Sequence, residues 1–253
     1  LSGEEVSVFA LCDGESYTLL GHACDHKRLQ DGDRGPNTGG MGAYLDPQWP
    51  SPEVFQKLER KILKPLLAGM KRKGHPYQGF LFLGLMIKDN DPYVIEYNVR
   101  LGDPEAQTLL PLLNGDFAEL CRSSLSSGGL REIRAENFLA PGKTAVHVVA
   151  ASGGYPSLQG EGMEMGHQIH FDKDLVPQKS EDSREEALFF AGVGKNKAGR
   201  LMNTGGRVLG VTALGENVNE ARKKAYASLE KIKFEGMFTR QDIGQNLLGS
   251  DES

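Results

Sequence analysis

Cysteine is scarce in this sequence, and long apolar runs are absent. The three cysteines, Cys12, Cys24 and Cys121, have neither CxxC nor metal-finger spacing, and so sparse and odd a count is typical of reduced thiols in a cytosolic protein. The longest apolar run, residues 80–87, is too short to cross a bilayer. No signal peptide is recognisable either. We therefore expect a cytoplasmic protein with no membrane partner.

Positive charge is also in short supply. The 253 residues include 29 lysines and arginines against 34 aspartates and glutamates, which gives a formal net charge of −5. Nonspecific nucleic-acid binding needs a basic surface, so we expect no nucleic-acid partner. Hydrophobic residues at 39% and charged residues at 25% predict a packed core, in one large domain or two ordinary ones.

The familiar nucleotide and nucleophile motifs are missing as well. A glycine-rich segment covers residues 31–42, but no Gly-Lys-Ser/Thr follows it, so it is not a Walker A loop. Its Gly40-Met-Gly42 end lacks the third glycine of a dinucleotide fingerprint, because Leu45 stands there. The histidines have no metal-ligand spacing, and no Ser/His/Asp or Cys/His arrangement can be argued. Any chemistry must therefore depend on other groups.

What the sequence does contain is a short run of alternating functional groups at residues 93–100. Successive side chains of a strand point to opposite faces. One face is predicted to carry, after Val94, the three functional groups Glu96, Asn98 and Arg100. The other is predicted to bury apolar side chains against a core, namely Tyr93, Ile95, Tyr97 and Val99.

The three polar groups of this run suit the binding of a cation and a phosphate. Carboxylate and amide oxygens, from Glu96 and Asn98, are ligands that a magnesium ion accepts while it bridges to phosphate oxygens. The guanidinium of Arg100 would stabilise charge that develops in acyl or phosphoryl transfer. An edge strand with a solvated polar face is the commoner interpretation of such a run alone, and its flanks favour the metal site.

Several flanking residues could hold an anionic ligand near this strand. Residues 37–42 offer exposed backbone amides and are short of charged side chains. Lys27 becomes a phosphate ligand if it converges with Arg100. The turn at residues 102–105 puts a helix start, whose free amides attract anions, directly after the strand. Arg207 is either a tethering cation or simply the first residue of a strand.

Local patterns predict helices and strands around these candidates. Turn signals and alternation predict two hairpins, and four-residue apolar spacing predicts a long helix that Ser51 caps, Pro65 kinks and Gly74 ends. Asp103 is expected to cap a helix that begins at Pro104 and Glu105. The predicted hairpin strands are residues 5–11 with 16–22 and 79–87 with 93–99, the later strands 144–151 and 207–214, and the helices 52–73, 117–125 and 218–232.

A Ser/Gly-rich run at residues 123–129 is the strongest boundary signal in the chain. It predicts one domain over residues 1–127 and a second over residues 128–253. A charged and irregular stretch at residues 171–186 predicts a long loop within the second domain.

Several longer stretches resemble the phosphoribosylamine–glycine ligase (glycinamide ribonucleotide synthetase) family of ATP-grasp enzymes. They occur in the family's order across nearly the whole chain. The glycine segment and the Arg-x-Gly-Asp-Pro-Glu run are specific to this family, whereas Glu-x-Asn-x-Arg is shared among ATP-grasp enzymes. The stretches include Asp25-His-Lys-Arg28, Gly35-Pro-Asn-Thr-Gly-Gly-Met-Gly-Ala-Tyr44, Ile95-Glu-Tyr-Asn-Val-Arg100, Gly102-Asp-Pro-Glu-Ala-Gln107, Ala150-Ala-Ser-Gly-Gly-Tyr-Pro156, Thr204-Gly-Gly-Arg-Val-Leu209 and Arg240-Gln-Asp-Ile-Gly244.

The resemblance implies an α+β fold: the C-terminal half of an ATP-grasp domain, an antiparallel sheet with helices, followed by a small mixed α/β C-terminal domain. The family's preceding domain and its nucleotide-gripping half are missing, so the resemblance also implies an inactive fragment of a longer polypeptide. Leu101 departs from the phenylalanine of the family signature, and the stretch at residues 171–186 is longer and more charged than usual.

The resemblance further implies a role for each candidate residue. Glu96 and Asn98 would ligate magnesium, or manganese, on ATP. Arg100 and Lys27 would act as catalytic cations at the transferred phosphoryl group. Contacts to glycine or to the phosphoribosyl substrate would come from Asp25, Asn37, Thr38, Gly39, Gly40, Met41, Gly42, Gly102, Asp103, Glu105 and Arg207.

The family's reaction uses ATP to phosphorylate the carboxylate of glycine. The amine of 5-phosphoribosylamine then attacks the glycyl phosphate, which gives glycinamide ribonucleotide, ADP and phosphate in purine biosynthesis. Two alternatives stay open: another ATP-grasp carboxylate–amine ligase or a carboxylase of the biotin-dependent kind, and a truncated, non-catalytic binding module. The glycine segment argues against the carboxylase.

Overall fold

Two compact units make up the computed structural model, which describes residues 2–133, 139–157, 162–172 and 185–245. Unit 1 comprises Leu1–Cys24 and Asp46–Gly142, and unit 2 comprises Asp25–Leu45 and Lys143–Ser253. Residues 128–133 and 139–142 therefore group with unit 1, and residues 25–45 group with unit 2. The domain assignment at 127/128 stays a prediction, since compactness alone does not define a domain.

Strands provide most of the regular structure of the described ranges. None of the helices there is long and apolar enough to cross a membrane. The helices are α1 (Pro52–Leu58), α2 (Lys64–Arg72), α3 (Glu105–Leu109), α4 (Phe117–Ser123) and α5 (Val218–Leu229). In chain order the strands are β1 (Glu4–Asp13), β2 (Tyr17–Asp25), β3 (Arg28–Gln30), β4 (Arg34–Asn37), β5 (Gly42–Leu45), β6 (Gln78–Lys88), β7 (Asp91–Asn98), β8 (Thr144–Ala151), β9 (His170–Phe171), β10 (Glu186–Phe190), β11 (Val193–Lys195), β12 (Leu201–Asn203), β13 (Arg207–Gly215) and β14 (Ile232–Lys233).

Unit 1 is built on an antiparallel sheet with strand order β2-β1-β6-β7. Both predicted hairpins, β1 with β2 and β6 with β7, are confirmed. Gly14 takes φ +91 in the first turn, and Asp89 and Asn90 take φ +53 and +58 in the second. Asp and Asn tolerate that left-handed region better than other side chains, which is why such residues mark turns.

The long helix predicted for residues 52–73 has a wider turn in its middle. Helix α1 passes into α2 through a π-helical turn at Glu59–Leu63, after which the Lys64 N–H bonds five residues back. Pro65 has no N–H and its ring crowds the carbonyl four residues earlier, and the wide turn absorbs this defect. Gly74 ends the helix with φ +80, as predicted. Ser51 occupies the N-cap position but makes no side-chain cap hydrogen bond.

In unit 2, strands pair antiparallel in the order β10-β13-β8-β5, and helix α5 packs against β13 and β8. The predicted strands at residues 144–151 and 207–214 are confirmed by β8 and β13. Helix α5 ends at Leu229 rather than at residue 232, because Ile232 starts β14 and pairs with Phe171. Most of the predicted loop at residues 171–186 lies outside the described residues.

The glycine-rich segment at residues 31–42, predicted to be a polar loop, contains strand β4 and the first residue of β5. Arg28 pairs with Asn37 and Gln30 pairs with Arg34, so β3 and β4 form a hairpin around residues 31–33. Strand β5 then pairs with β8 and is buried throughout. The loop prediction missed β5 because the partner of this strand lies far along the chain, where no local pattern indicates it.

Gly42, at the start of β5, is a position where only glycine fits. Its φ is +154, and a Cβ there would lie 2.5 Å from the His147 carbonyl oxygen. We expect Gly42→Ala to lower the free energy of unfolding by about 1–3 kcal/mol more than Gly199→Ala, because overpacking adds to the backbone strain. Gly199 has φ +76 and no described atom within 4 Å of such a Cβ, so Gly199→Ala measures the backbone strain without a steric clash. Urea unfolding of both variants measures the difference, and equal losses contradict the steric argument.

Candidate active site

Glu96 and Asn98 stand side by side on β7, at the edge of the unit 1 sheet. The Asn98 Nδ2 donates to Glu96 Oε1 at 3.0 Å, so the two side chains share a face, as predicted. Gly84 lies opposite Glu96 in the ladder, and a Cβ on Gly84 would come within 2.9 Å of Glu96 Cγ. A larger residue at that position would therefore displace the carboxylate. Glu96 is exposed and Asn98 is half-buried, so the pair can present its oxygens to a ligand.

The apolar side of β7 differs from the prediction in two ways. The pairing register shifts between Gly84 and Leu85, so Ile95 is an extra residue and forms a β-bulge. Val94 consequently lies on the face opposite Glu96. The expectation of a buried apolar face is also wrong, because the four apolar side chains of the run are exposed. In the described structure the exposed fraction is 44% for Tyr93, 47% for Ile95, 45% for Tyr97 and 75% for Val99.

Arg100 lies beyond the strand rather than on it. Strand β7 ends at Asn98, and the chain bends at residues 99 and 100. The Arg100 guanidinium is exposed and donates to the Leu101 carbonyl at 2.9 Å. The predicted strand end at residue 99 is one residue too far, and the alternation does not carry Arg100 onto the Glu96 face.

The turn after Arg100 is fixed by a buried carboxylate. Glu105 is 4% exposed and accepts a hydrogen bond from the Ser7 hydroxyl at 3.0 Å. Its carboxylate lies against Gly102, at which a Cβ would overlap it. Helix α3 begins at Glu105 without a side-chain cap, so the predicted Asp103 cap is wrong. Glu105 thus anchors the turn to β1, and substrate contacts by Gly102, Asp103 and Glu105 stay predictions.

The glycine segment of unit 2 is joined backbone to backbone to the stretch that carries Lys27. The Lys27 carbonyl accepts from the Thr38 N–H at 2.7 Å and from the Thr38 hydroxyl at 2.9 Å. The His26 N–H donates to the Gly42 carbonyl, and the Met41 N–H donates to the His26 carbonyl, both at 2.9 Å. These bonds fix the backbone of Lys27 beside residues 38–42 of the glycine segment.

Arg207 joins the same group of residues. Its Nη1 donates to the Gly39 carbonyl at 2.7 Å, and a Cβ on Gly39 would meet the guanidinium at 3.0 Å. The Gly39 N–H donates to the hydroxyl of Tyr155 at 2.9 Å. Arg207 and Tyr155 therefore hold the backbone of Gly39 from both sides. Sequence reasoning missed the contact of Tyr155 with Gly39, although Tyr155 lies in one of the family-like stretches.

Exposure divides the glycine segment into two parts. Residues 37–39 are exposed or half-buried, whereas residues 40–42 are buried. Met41 is 0% exposed, and its carbonyl accepts a hydrogen bond from the Val149 N–H. The first part exposes Asn37 to a ligand, and the second part anchors the segment to the sheet. The expected free backbone amides are not found at Thr38 and Gly39, because their N–H groups already donate to Lys27 and Tyr155. Ligand contacts along the segment, and by the half-buried Asp25 at the end of β2, stay predictions.

Two buried histidines stay neutral beside the cations of unit 2. Burial, and then the charge of Arg240, lowers the pKa of His26 to about 4. Burial, and then the charge of Arg207, lowers the pKa of His147 to about 3. Both rings are therefore uncharged near neutral pH. The positive charge around the glycine segment thus comes from arginine and lysine rather than from histidine.

The chemistry of the Glu96–Asn98 pair fits a magnesium or manganese ion. The described residues contain no cluster of three or more histidine, cysteine, aspartate or glutamate side chains that could hold a metal by itself. A hard cation bound by one carboxylate and one amide oxygen takes its other ligands from water and substrate phosphates. The Asn98 nitrogen already bonds to Glu96, which leaves the Asn98 oxygen available as a ligand. The pair could therefore hold a metal–nucleotide complex.

The chain has part of the fold of ATP-grasp enzymes. The biotin carboxylase subunit of pyruvate carboxylase superposes on it with a TM-score of 0.59, over 93% of this chain and 47% of that one, and at 13% identity this likeness concerns the fold alone. The sequence models of phosphoribosylglycinamide synthetase match twice, its ATP-grasp (A) domain at residues 1–106 and its C domain at residues 145–246. The predicted fold class, part of an ATP-grasp domain followed by a C-terminal domain, is confirmed.

This chain belongs to the phosphoribosylglycinamide synthetase family. Phosphoribosylamine–glycine ligase of Chlorobaculum tepidum is 43% identical over 248 residues, which cover 98% of this chain and 55% of the relative. The ligase of Allochromatium vinosum is 43% identical over 254 residues, which cover 100% and 56%. The crystal structure of the Thermotoga maritima ligase, 39% identical, superposes with a TM-score of 0.79 over 96% of this chain and 56% of that one. The chain thus spans about half the length of the curated relatives it matches.

Proposed function

We propose that this chain is part of an ATP-dependent ligase that joins glycine to 5-phosphoribosylamine in purine biosynthesis. The products are glycinamide ribonucleotide, ADP and phosphate. The proposal depends on one observation, the hydrogen bond that places Glu96 and Asn98 next to each other in a chain whose relatives are named phosphoribosylamine–glycine ligase. The pair alone would suit many ATP-dependent enzymes, and the names alone would say nothing about this chain's own residues.

The proposed reaction consists of two displacements. A carboxylate oxygen of glycine attacks the γ-phosphorus of ATP, the bond from that phosphorus to the β–γ bridging oxygen breaks, and ADP leaves. The amine of phosphoribosylamine then attacks the carbonyl carbon of glycyl phosphate, loses a proton and expels phosphate. Neither step needs a side-chain nucleophile, but both need stabilisation of negative charge.

The charged and polar residues of the chain take distinct roles in this proposal. Glu96 and Asn98 hold Mg²⁺, or Mn²⁺, against the phosphates of ATP. The ion, when bound, would supply positive charge that stabilises the phosphates of ATP. Arg100 and Lys27 are the catalytic cations, and their positive charges stabilise the transferred phosphoryl group.

Substrate contacts are assigned to the glycine segment, Asp25, the turn at residues 102–105 and Arg207. Asn37 is exposed, and its side-chain NH2 group suits a carboxylate or a phosphate. Arg207 bonds to the peptide of Gly39 and adds positive charge there, which favours an anionic substrate. The rest of the polypeptide provides the adenine contacts, and we place the enzyme in the cytoplasm, as the cysteine content suggests.

An ATPase assay of the whole protein tests the proposal. We expect ADP release that requires both glycine and phosphoribosylamine, and the matched control is the complete mixture without glycine. Indifference to glycine eliminates the proposal. ADP release that depends on bicarbonate and biotin instead would indicate the carboxylase, and no ATP turnover with either set of substrates would indicate a binding module.

A further inference from the structure

Arg240 is a fully buried cation in unit 2, outside every role assigned so far. Its side chain is 0% exposed, and its guanidinium makes two hydrogen bonds to Asp242, both at 2.7 Å. The Nη1 donates to Asp33 Oδ1 at 2.8 Å and to the Arg28 carbonyl at 3.0 Å. Burying a charge is costly unless it is paired and hydrogen-bonded, so the position calls for a reason beyond packing.

The bonds of Arg240 belong to a group of hydrogen bonds that joins residues 240–242 to the β3–β4 hairpin. The Asp242 carboxylate accepts from the Gly32 N–H at 2.8 Å. The Gln241 N–H donates to Asp31 Oδ1 at 2.8 Å. Three successive residues, 240–242, thus bond to the tip of the hairpin and to the backbone at its start. The planar guanidinium is suited to this task, because it donates in several fixed directions at once.

A second attachment lies at the base of the hairpin. The Gly244 N–H donates to His26 Nε2 at 3.1 Å, so the imidazole ring is held by the same run of residues. The backbone of His26 in turn bonds to both Met41 and Gly42, as described above. The run 240–244 therefore contacts the tip of the hairpin and also His26, whose backbone bonds to the end of the glycine segment.

The hairpin leads directly into the proposed ligand residues at both of its ends. Strand β3 starts at Arg28, immediately after Lys27, and strand β4 ends at Asn37. Arg28 and Asn37 are paired across the ladder, so a shift of the hairpin moves both ends together. Displacement of the tip or of His26 would thus move Lys27 and residues 37–39.

We propose that the run Arg240–Gly244 is a positioning clamp, which holds Lys27 and the glycine segment in the geometry that binds substrate and the transferred phosphoryl group. Arg240 is its main positioning residue and does not touch substrate. The inference rests on the proposed function for the identity of the substrate, whereas the clamp itself involves only residues of unit 2.

Arg240→Lys in the whole protein tests the clamp, because lysine keeps the charge and loses the fixed fork of donors. We expect the KM for phosphoribosylamine or glycine to rise about 10-fold or more, since small displacements of positioning groups have large effects. We also expect faster backbone hydrogen exchange in the peptide that contains residues 38–42. We also expect kcat to fall, because Lys27 faces the transferred phosphoryl group. Half-saturation by Mg²⁺ should change little, because Glu96 and Asn98 lie in unit 1.

Leu229→Ala is the matched control for a merely structural effect. Leu229 is a buried residue of α5 in the same unit, and its truncation lowers the melting temperature without removing a hydrogen-bonding group of the hairpin or of the run 240–244. We expect unchanged KM values and unchanged exchange at residues 38–42 in this variant. If Leu229→Ala reproduces the changes of Arg240→Lys, general destabilisation explains them and the clamp is overturned.

Asp33→Asn covers the case in which Arg240→Lys does not fold. The side chain of Asp33 is 56% exposed, and its φ of +52 is a conformation that asparagine also adopts. Folding should therefore be retained while the ion pair between Asp33 and Arg240 is lost. We expect smaller changes in the same direction. Unchanged exchange at residues 38–42 in a folded variant contradicts the clamp. Absence of glycine-dependent turnover in the wild type would instead contradict the proposed function, and the exchange measurement would still decide on the clamp.

Discussion

Glu96→Gln in the whole protein is expected to lower kcat by about 100-fold or more. Glutamine has nearly the same shape and can still accept the hydrogen bond from Asn98, but it loses the negative charge that holds the cation on ATP. The melting temperature should be nearly unchanged, because Glu96 is exposed. Steady-state rates as a function of Mg²⁺ concentration measure the effect, and half-saturation should move to higher Mg²⁺.

The control for this variant is Glu4→Gln, which removes one exposed carboxylate from β1 of the same sheet. It changes the net charge equally and leaves the proposed metal site intact, so its rate should match the wild type. Mg²⁺-dependent turnover at the wild-type level in Glu96→Gln would refute the assignment of Glu96 as a metal ligand.

Acid is expected to destabilise the protein over the range from pH 7 to pH 4. Burial lowers the pKa of three histidines, to about 4 for His22, about 4 for His26 and about 3 for His147, from the ordinary 6.5. The unfolded chain takes up these protons as the pH falls through 6.5, whereas the folded chain does not. The unfolded state therefore binds more protons in this window, and the free energy of unfolding falls, on the order of 2–3 kcal/mol for each histidine.

Urea unfolding of the whole protein at pH 7 and pH 5 measures this dependence. His147→Gln should reduce the difference between the two pH values, because one of the three titrating rings is gone. His75→Gln is the control, since His75 is exposed and its loss should leave the difference unchanged. A wild-type free energy of unfolding that is equal at both pH values would contradict the buried neutral histidines.

Local patterns were enough to predict the elements whose signals lie within a few residues. The hairpins at Asp13–Gly14 and Asp89–Asn90, strand β8 and the end of α2 at Gly74 follow from turn residues and side-chain period. Strand β5 could not be predicted in this way, because its pairing with β8 joins Gly42 to Val148. Long-range pairing of this kind overrides local glycine content.

The same distinction between local and long-range contacts applies to the candidate site. Glu96 and Asn98 are two residues apart, so their shared face follows from strand geometry. The bulge at Ile95 depends on how β6 pairs with β7, and the run itself contains no signal for it. The bonds from Arg207 to Gly39 and from Arg240 to Asp33 span 168 and 207 residues. A single sequence does not indicate such partners, even where it identifies the motifs that contain them.

The fate of oxygen in the whole enzyme tests the proposed glycyl phosphate most directly. Glycine labelled with oxygen-18 in its carboxylate would be converted with ATP and phosphoribosylamine, and the released phosphate analysed by mass spectrometry. We expect one labelled oxygen in each phosphate, because the oxygen that attacks phosphorus stays with it when the amine attacks carbon. Unlabelled phosphate, released together with glycinamide ribonucleotide, would contradict the account.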